Sequence, residues 1–250
     1  MTPPRHPAEV LPDEPLLQWM GSRRPAPDLV ADGANVAWLG RASRPGESWV
    51  SGLGNDPATI ARLVEILAGR HDIDGVTVVE RAFDLLPRRL RSPDPGFWCH
   101  WMLDPRDVQP GGSRAVDLRL DDPRIGPLLA HSDSAHIFPG HERVVRWVGV
   151  EQGARLVAVA GQIIEATGAA HIVSVCTDPE VRGQGLARET CRRVIDHAVA
   201  DGAPMIVLEM YTANEAGRRL YSGLGFRETG RYASGLLAHA LKPDTPPGAP

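Results

Sequence analysis

The stretch Val175-Cys176-Thr177-Asp178-Pro179-Glu180-Val181-Arg182-Gly183-Gln184-Gly185-Leu186-Ala187-Arg188 decides the fold of this chain. Ahead of it, the apolar, β-rich run from Ala170 to Cys176 reads as a strand. Behind it, Leu186, Ala187, Thr190, Cys191, Val194, Ile195 and Ala198 recur at helical spacing. Pro179 and the two glycines punctuate the strand-to-helix turn. The first N–H groups of a helix have no partner within it, and the helix dipole favours negative charge there. Gly183 and Gly185 remove the side chains that would hold a pyrophosphate away, and Arg182 and Arg188 can add charge-assisted hydrogen bonds.

A turn of this kind can also bind nothing, so its spacing matters. No Gly-Lys-Ser/Thr follows, which excludes a Walker loop, and the G-x-G-x-x-G spacing of a dinucleotide fingerprint fails. The turn does fit Arg/Gln-x-x-Gly-x-Gly/Ala, as Arg182-Gly183-Gln184-Gly185-Leu186-Ala187. Here the chain resembles the GNAT superfamily of acyl-CoA-dependent N-acyltransferases, in which this loop holds the coenzyme A pyrophosphate. A second signature follows: Leu208-Glu209-Met210-Tyr211-Thr212-Ala213-Asn214, then Leu220-Tyr221, then Leu224-Gly225-Phe226. It is similar to the strand–Asn–helix–Tyr–Gly-Phe segment of the same enzymes. The resemblance covers roughly residues 115–241.

The resemblance implies an α/β (α+β) GNAT-like fold: a mixed, mostly antiparallel central sheet flanked by helices. Acetyl-CoA is the implied cosubstrate, with no metal. The implied coenzyme-binding set is Val175, Cys176, Thr177, Arg182, Gly183, Gln184, Gly185, Leu186, Ala187, Arg188, Asn214 and Tyr221. Two neighbouring strands are expected to part near Val175-Cys176-Thr177, freeing backbone groups for the pantetheine arm. Thr177 departs from the apolar residue common there, which a backbone role tolerates. Asn214 is suited to cap a helix as well as to contact the coenzyme, and both readings stay open.

The implied reaction is transfer of an acetyl group to a primary amine by direct attack in a ternary complex. Tyr221 is the candidate general acid, since a phenol can give its proton to the leaving thiolate. Glu209 is the candidate base, by resemblance to the ribosomal-protein alanine N-acetyltransferases; a strand carboxylate that only pairs with a cation is its alternative. His131, Asp133 and His136, on a polar loop expected to line the amine side, are rival bases. Two other functions stay open: an acyl-CoA-binding sensor or scaffold without turnover, and an N-acyltransferase using a longer acyl-CoA. The acceptor is a small-molecule or peptide amine, and the chain a monomer or homodimer.

The 250 residues suffice for one large core or two modest ones. Neither half is basic, which argues against a nucleic-acid surface. No apolar run is long enough to span a bilayer, and the N-terminus lacks the apolar core of a signal peptide. Cys99, Cys176 and Cys191 lack metal-ligand spacing and read as thiols in a reducing cytoplasm.

Along the chain, residues 1–15 read as a mobile Pro-rich tail and 16–112 as an N-terminal α/β domain. Within it, Asn35–Gly40, Ser48–Ser51, Val76–Val79 and Phe97–Leu103 read as strands. Asp56-Pro57 opens a helix with Ile60, Leu63, Val64 and Leu67 on one face. A degenerate half-copy of the second domain is one reading of this region. Val108-Gln109-Pro110-Gly111-Gly112-Ser113 is the expected linker to a catalytic domain at 113–242, followed by a disordered tail at 243–250. The second domain predicts a helix after Asp121-Asp122-Pro123, a short helix near 141–146, a hairpin turning at Gln152-Gly153, and two closing strands, 226–232 and 236–241.

Overall fold

The computed structural model describes residues 5–20, 24–41, 46–109 and 111–240. In chain order the strands are β1 Leu29–Ala31, β2 Asn35–Arg41, β3 Ser48–Gly54, β4 Gly75–Val79, β5 Gly96–Leu103, β6 Val116–Leu118, β7 Val144–Gln152, β8 Arg155–Ile164, β9 Ala170–Thr177, β10 Ile206–Tyr211 and β11 Arg227–Leu236. The α-helices are α1 Pro15–Trp19, α2 Pro57–Ala68, α3 Ile125–Leu129, α4 Leu186–Ala200 and α5 Glu215–Gly223.

The chain forms two compact units. The first holds the described residues up to Cys99, with Tyr211–Ala213 and those from Thr229 on; the second holds His100–Met210 and Asn214–Glu228. The expected linker at 108–113 is therefore not where the chain divides. The division falls inside β5, and β11 belongs to the first unit, where Tyr232 to Leu236 pair antiparallel with Val79 to Gly75 of β4. Pro-Gly composition marks where a chain can turn freely, whereas strand pairing recruits segments distant in sequence.

In the first unit the strand order is β1-β2-β3-β4-β11, antiparallel except between β3 and β4. The parallel step is bridged by α2, whose Ile60, Leu63, Val64 and Leu67 are buried as the sequence pattern requires. Fully burying side chains of this size contributes about 1.5–3 kcal/mol each. From Arg5 on, the N-terminal segment packs onto the first unit. The His6 Nδ1 accepts from the Ala8 N–H at 3.1 Å, and Ala8, Leu11 and Leu16 pack around Leu17, Leu53 and Tyr232. Those leucines among the prolines give the segment an apolar anchor that composition alone hides.

In the second unit the strands from β10 run β10-β9-β8-β7-β6, antiparallel except between β9 and β10. Here α4 bridges the parallel step and buries Leu186, Thr190, Cys191, Val194, Ile195 and Ala198. Each unit thus runs three antiparallel strands, a helix, and a strand parallel to the third: β1-β2-β3-α2-β4 in one, β7-β8-β9-α4-β10 in the other.

The expected helix near 141–146 is absent, because β7 begins at Val144 and takes those residues into a ladder with β8. The two expected closing strands are one, β11, ending at Leu236; the tail from 243 lies outside the described residues. The helix after Pro123 is short, Ile125–Leu129.

Candidate functional site

Strand β9 carries an irregularity against β8. Val159 pairs with Cys176 and Gly161 with Val173, so Ser174 and Val175 oppose Ala160 alone. Ser174 takes φ 51°, the one non-glycine residue with positive φ among the described residues. Its hydroxyl donates to the Ile137 carbonyl at 2.7 Å, which ties the bulge to the polar loop that carries His131, Asp133 and His136.

On its other side β9 meets β10 at Ala170–Ile206 and His171–Val207, and no ladder pair follows among the described residues. Yet β9 runs on to Thr177 and β10 to Tyr211. The two strands have already parted by the time β9 reaches Val175, Cys176 and Thr177. Backbone groups along this edge of β9 are left for something other than the sheet.

The turn follows directly. The Asp178 carboxylate accepts from the Glu180 N–H at 3.0 Å and from Arg155 at 2.5 Å, which braces a 3-10 turn at Pro179–Val181. Gly183 and Gly185 then adopt φ 80° and 76°, and a Cβ at either would meet nothing within 4 Å. Gly185 is the N-cap of α4 and supplies no side-chain cap; the Arg188 N–H turns back to the Gly185 carbonyl at 3.0 Å, and the N–H groups ahead of it start a 15-residue helix beside open space. These features fit a phosphate group: donors, a helix terminus and room.

The two arginines flank this space but are already engaged. Arg182 donates to the Thr177 carbonyl at 3.2 Å and to the His131 carbonyl at 3.4 Å. Arg188 donates to the Gly223 carbonyl at 3.0 Å, at the end of α5. Gln184 is exposed, Ala187 half-buried and Leu186 buried in the core, so Leu186 can offer only its backbone. Cys176 is buried, its thiol donates to the Leu128 carbonyl at 3.3 Å, and burial pushes its pKa up, all of which make it a poor nucleophile.

Asn214 caps α5, its Oδ1 accepting from the Gly217 N–H at 2.8 Å. Gly217 is required there, since a Cβ would lie 2.7 Å from Asn214 Nδ2. Tyr221, one turn on, is buried and packs edge-on against Phe226 with centroids 5.9 Å apart. Burial, aided by neighbouring Cys191, raises its phenol well above the usual value, so the proton stays on through neutral pH.

Glu209 is the one exposed residue of β10 between buried Leu208 and Met210. Its carboxyl makes no hydrogen bond or ion pair among the described residues. Desolvation by surrounding protein raises its pKa, His171 lowers it and Glu165 raises it. An exposed carboxyl ringed by enough protein to be desolvated is suited to act as a base. The rival bases His131, Asp133 and His136 are all exposed on the loop.

A model of the Acetyltransferase (GNAT) family matches residues 116–226. This stretch is a GNAT acetyltransferase domain. It takes in β6 to α5, and therefore the glycine turn, Glu209, Asn214 and Tyr221. Over 84 residues the chain is 34% identical to N-acetylaspartate synthetase of Danio rerio and 31% identical to that of Homo sapiens. Those matches take in 34% of this chain and 30% and 28% of the relatives, so the chain spans less than a third of their length. Solved structures share the fold over nearly the whole chain. A GNAT-family protein from Novosphingobium aromaticivorans, 23% identical, matches with a TM-score of 0.53 over 93% of this chain and 96% of its own. A GCN5-related N-acetyltransferase from Kribbella flavida, 16% identical, matches at 0.54 over 92% and 94%.

The sequence reading missed His171, Glu165 and Arg143. The His171 Nδ1–H donates to Glu165 Oε1 at 2.8 Å, and Arg143 donates to Glu165 Oε2 at 2.6 Å. A histidine inside the apolar run Ala170-His171-Ile172-Val173 was the available signal.

Proposed function

We propose that this protein is an acyl-CoA-dependent N-acetyltransferase that moves an acetyl group to a small primary amine by direct attack in a ternary complex. The observation that carries the reading is the open glycine turn at the start of α4, immediately after the point where β9 and β10 part. Gly183 to Ala187 would cradle the pyrophosphate through backbone N–H groups with Arg188 beside them, and Val175 to Thr177 would bond the pantetheine arm through theirs. Asn214 has its amide nitrogen left for the coenzyme while its oxygen caps α5. Holding donor and amine side by side removes most of the entropic barrier of a bimolecular step.

Glu209 takes a proton from the substrate ammonium, and Tyr221 gives one to the leaving thiolate. The relatives named N-acetylaspartate synthetase make amino acids the first acceptors to try. None of the three cysteines forms a disulfide, which supports a reducing cytoplasm as the setting. Among the described residues no helix is long and apolar enough to cross a membrane.

The test is a donor-by-acceptor screen. Free thiol should appear with acetyl-CoA and at least one amine, faster than with longer acyl-CoA donors. Tight coenzyme binding with no turnover across amino acids, polyamines and peptide N-termini would instead identify a binding module.

A further inference from the structure

His171 sits beside Glu209 in the sheet. In the β9–β10 ladder it pairs with Val207, and Glu209 lies two residues further along β10, so the three share one face. Glu209 lies just past the last ladder pair, close enough for the charge of His171 to act on its carboxyl. A histidine and a glutamate so placed can meet directly or through one water. His171 is buried at 7% exposure, although a histidine in this apolar strand gains nothing from burial unless its ring nitrogens are used.

Its orientation is fixed. Burial pushes Glu165 up, but the His171 hydrogen bond and the charges of His171 and Arg143 outweigh it and hold the carboxyl below its usual value. Glu165 is therefore an ionised acceptor at neutral pH, and its partner nitrogen, His171 Nδ1, must carry the proton. That leaves Nε2 as the ring's proton-accepting atom. The other titratable group beside His171 is His100 of β5, fully buried and pushed down to about 4 by desolvation and by His171. His100 stays neutral in the working range and cannot compete for the proton. Arg143 reaches the group only through Glu165.

We propose that His171, held by Glu165, is the positioning residue and proton acceptor behind Glu209. The proposal rests on the acetyltransferase reading above. The ammonium N–H bond breaks and its proton goes to the Glu209 carboxylate. The carboxyl O–H proton then passes to His171 Nε2, and the imidazolium is stabilised by the Glu165 carboxylate. The neutral amine is left to attack, and His171 releases the proton to solvent after turnover.

The test needs no substrate. In full-length protein labelled with 13C-Glu and 15N-His, the Glu209 carboxyl and the His171 ring are titrated by NMR, with E209Q and H171Q assigning the signals. Neutral His171 should show the Nδ1–H tautomer. H171Q should raise the Glu209 midpoint by about 1 pH unit, because it removes the His171 charge that lowers it. An Nε2–H tautomer, or a Glu209 midpoint unmoved in H171Q, overturns the proposal whether or not an acceptor is known. With an acceptor in hand, H171Q should lower kcat at least about tenfold and raise the acid limb of the pH profile, with coenzyme affinity unchanged. Failure of the amine screen would sink the enzymatic reading while leaving the NMR result to judge the dyad by itself.

Discussion

Replacing Tyr221 by Phe is expected to lower kcat by about 10²–10⁴ with coenzyme affinity unchanged. The substitution keeps the ring, its burial and its edge-on contact with Phe226, and removes only the phenol proton. A loss confined to kcat therefore reports a proton delivered in the transition state. The raised phenol pKa adds a second expectation. An ionised phenol has no proton to give, so activity should fall once Tyr221 ionises. In the folded protein burial moves that limb above the usual phenol range, so the alkaline side of the profile should stay flat to about pH 10. Steady-state kinetics across pH, with calorimetry for the coenzyme, settles both points. Full kcat in Tyr221→Phe would make Tyr221 a packing residue.

The second large effect is expected at Gly185. Its φ of 76° is costly for a β-branched residue, and its Cβ would project into the open space before α4. Gly185→Val should weaken coenzyme A binding at least about a hundredfold, equivalent to about 2.7 kcal/mol. That is the scale of one or two charge-assisted hydrogen bonds. Gly185→Ala should fall between the two, since a methyl group fills less of the cradle. Thermal unfolding separates lost binding from lost fold. Unchanged affinity by calorimetry in a folded Gly185→Val protein would remove the pyrophosphate from this turn.

The glycine turn was legible because positive φ is written into sequence as glycine at the positions that need it, here 183 and 185. Helices α2, α4 and α5 were legible for a similar reason: their caps and apolar faces are local. What sequence could not carry was pairing at a distance. Nothing near Arg227–Leu236 says that this strand completes the first unit beside β4. The three-residue β1 is too short to show a period, and only its ladder with β2 defines it. The residues expected from the two motifs fall on β9, the turn before α4, β10 and α5 and its cap, but the partners of their side chains were hidden. Arg182 and Arg188 are turned onto carbonyls, and the Glu165 that orients His171 lies across a strand turn.

The likeness in order between the two units has a chemical limit, and it sits at the start of their helices. Helix α4 begins with a bare glycine. Helix α2 begins with Asp56, whose carboxylate accepts from the Ala58 N–H at 3.2 Å and from the Thr59 hydroxyl at 2.6 Å. Pro57 follows and has no N–H to offer. This helix end carries its own anion, covalently attached, in the position where a ligand's phosphate would come. One half of the chain is thus self-neutralised and the other is left hungry for charge. Titration with coenzyme A should accordingly end at one equivalent per chain; a second equivalent would mean that Asp56 gives way.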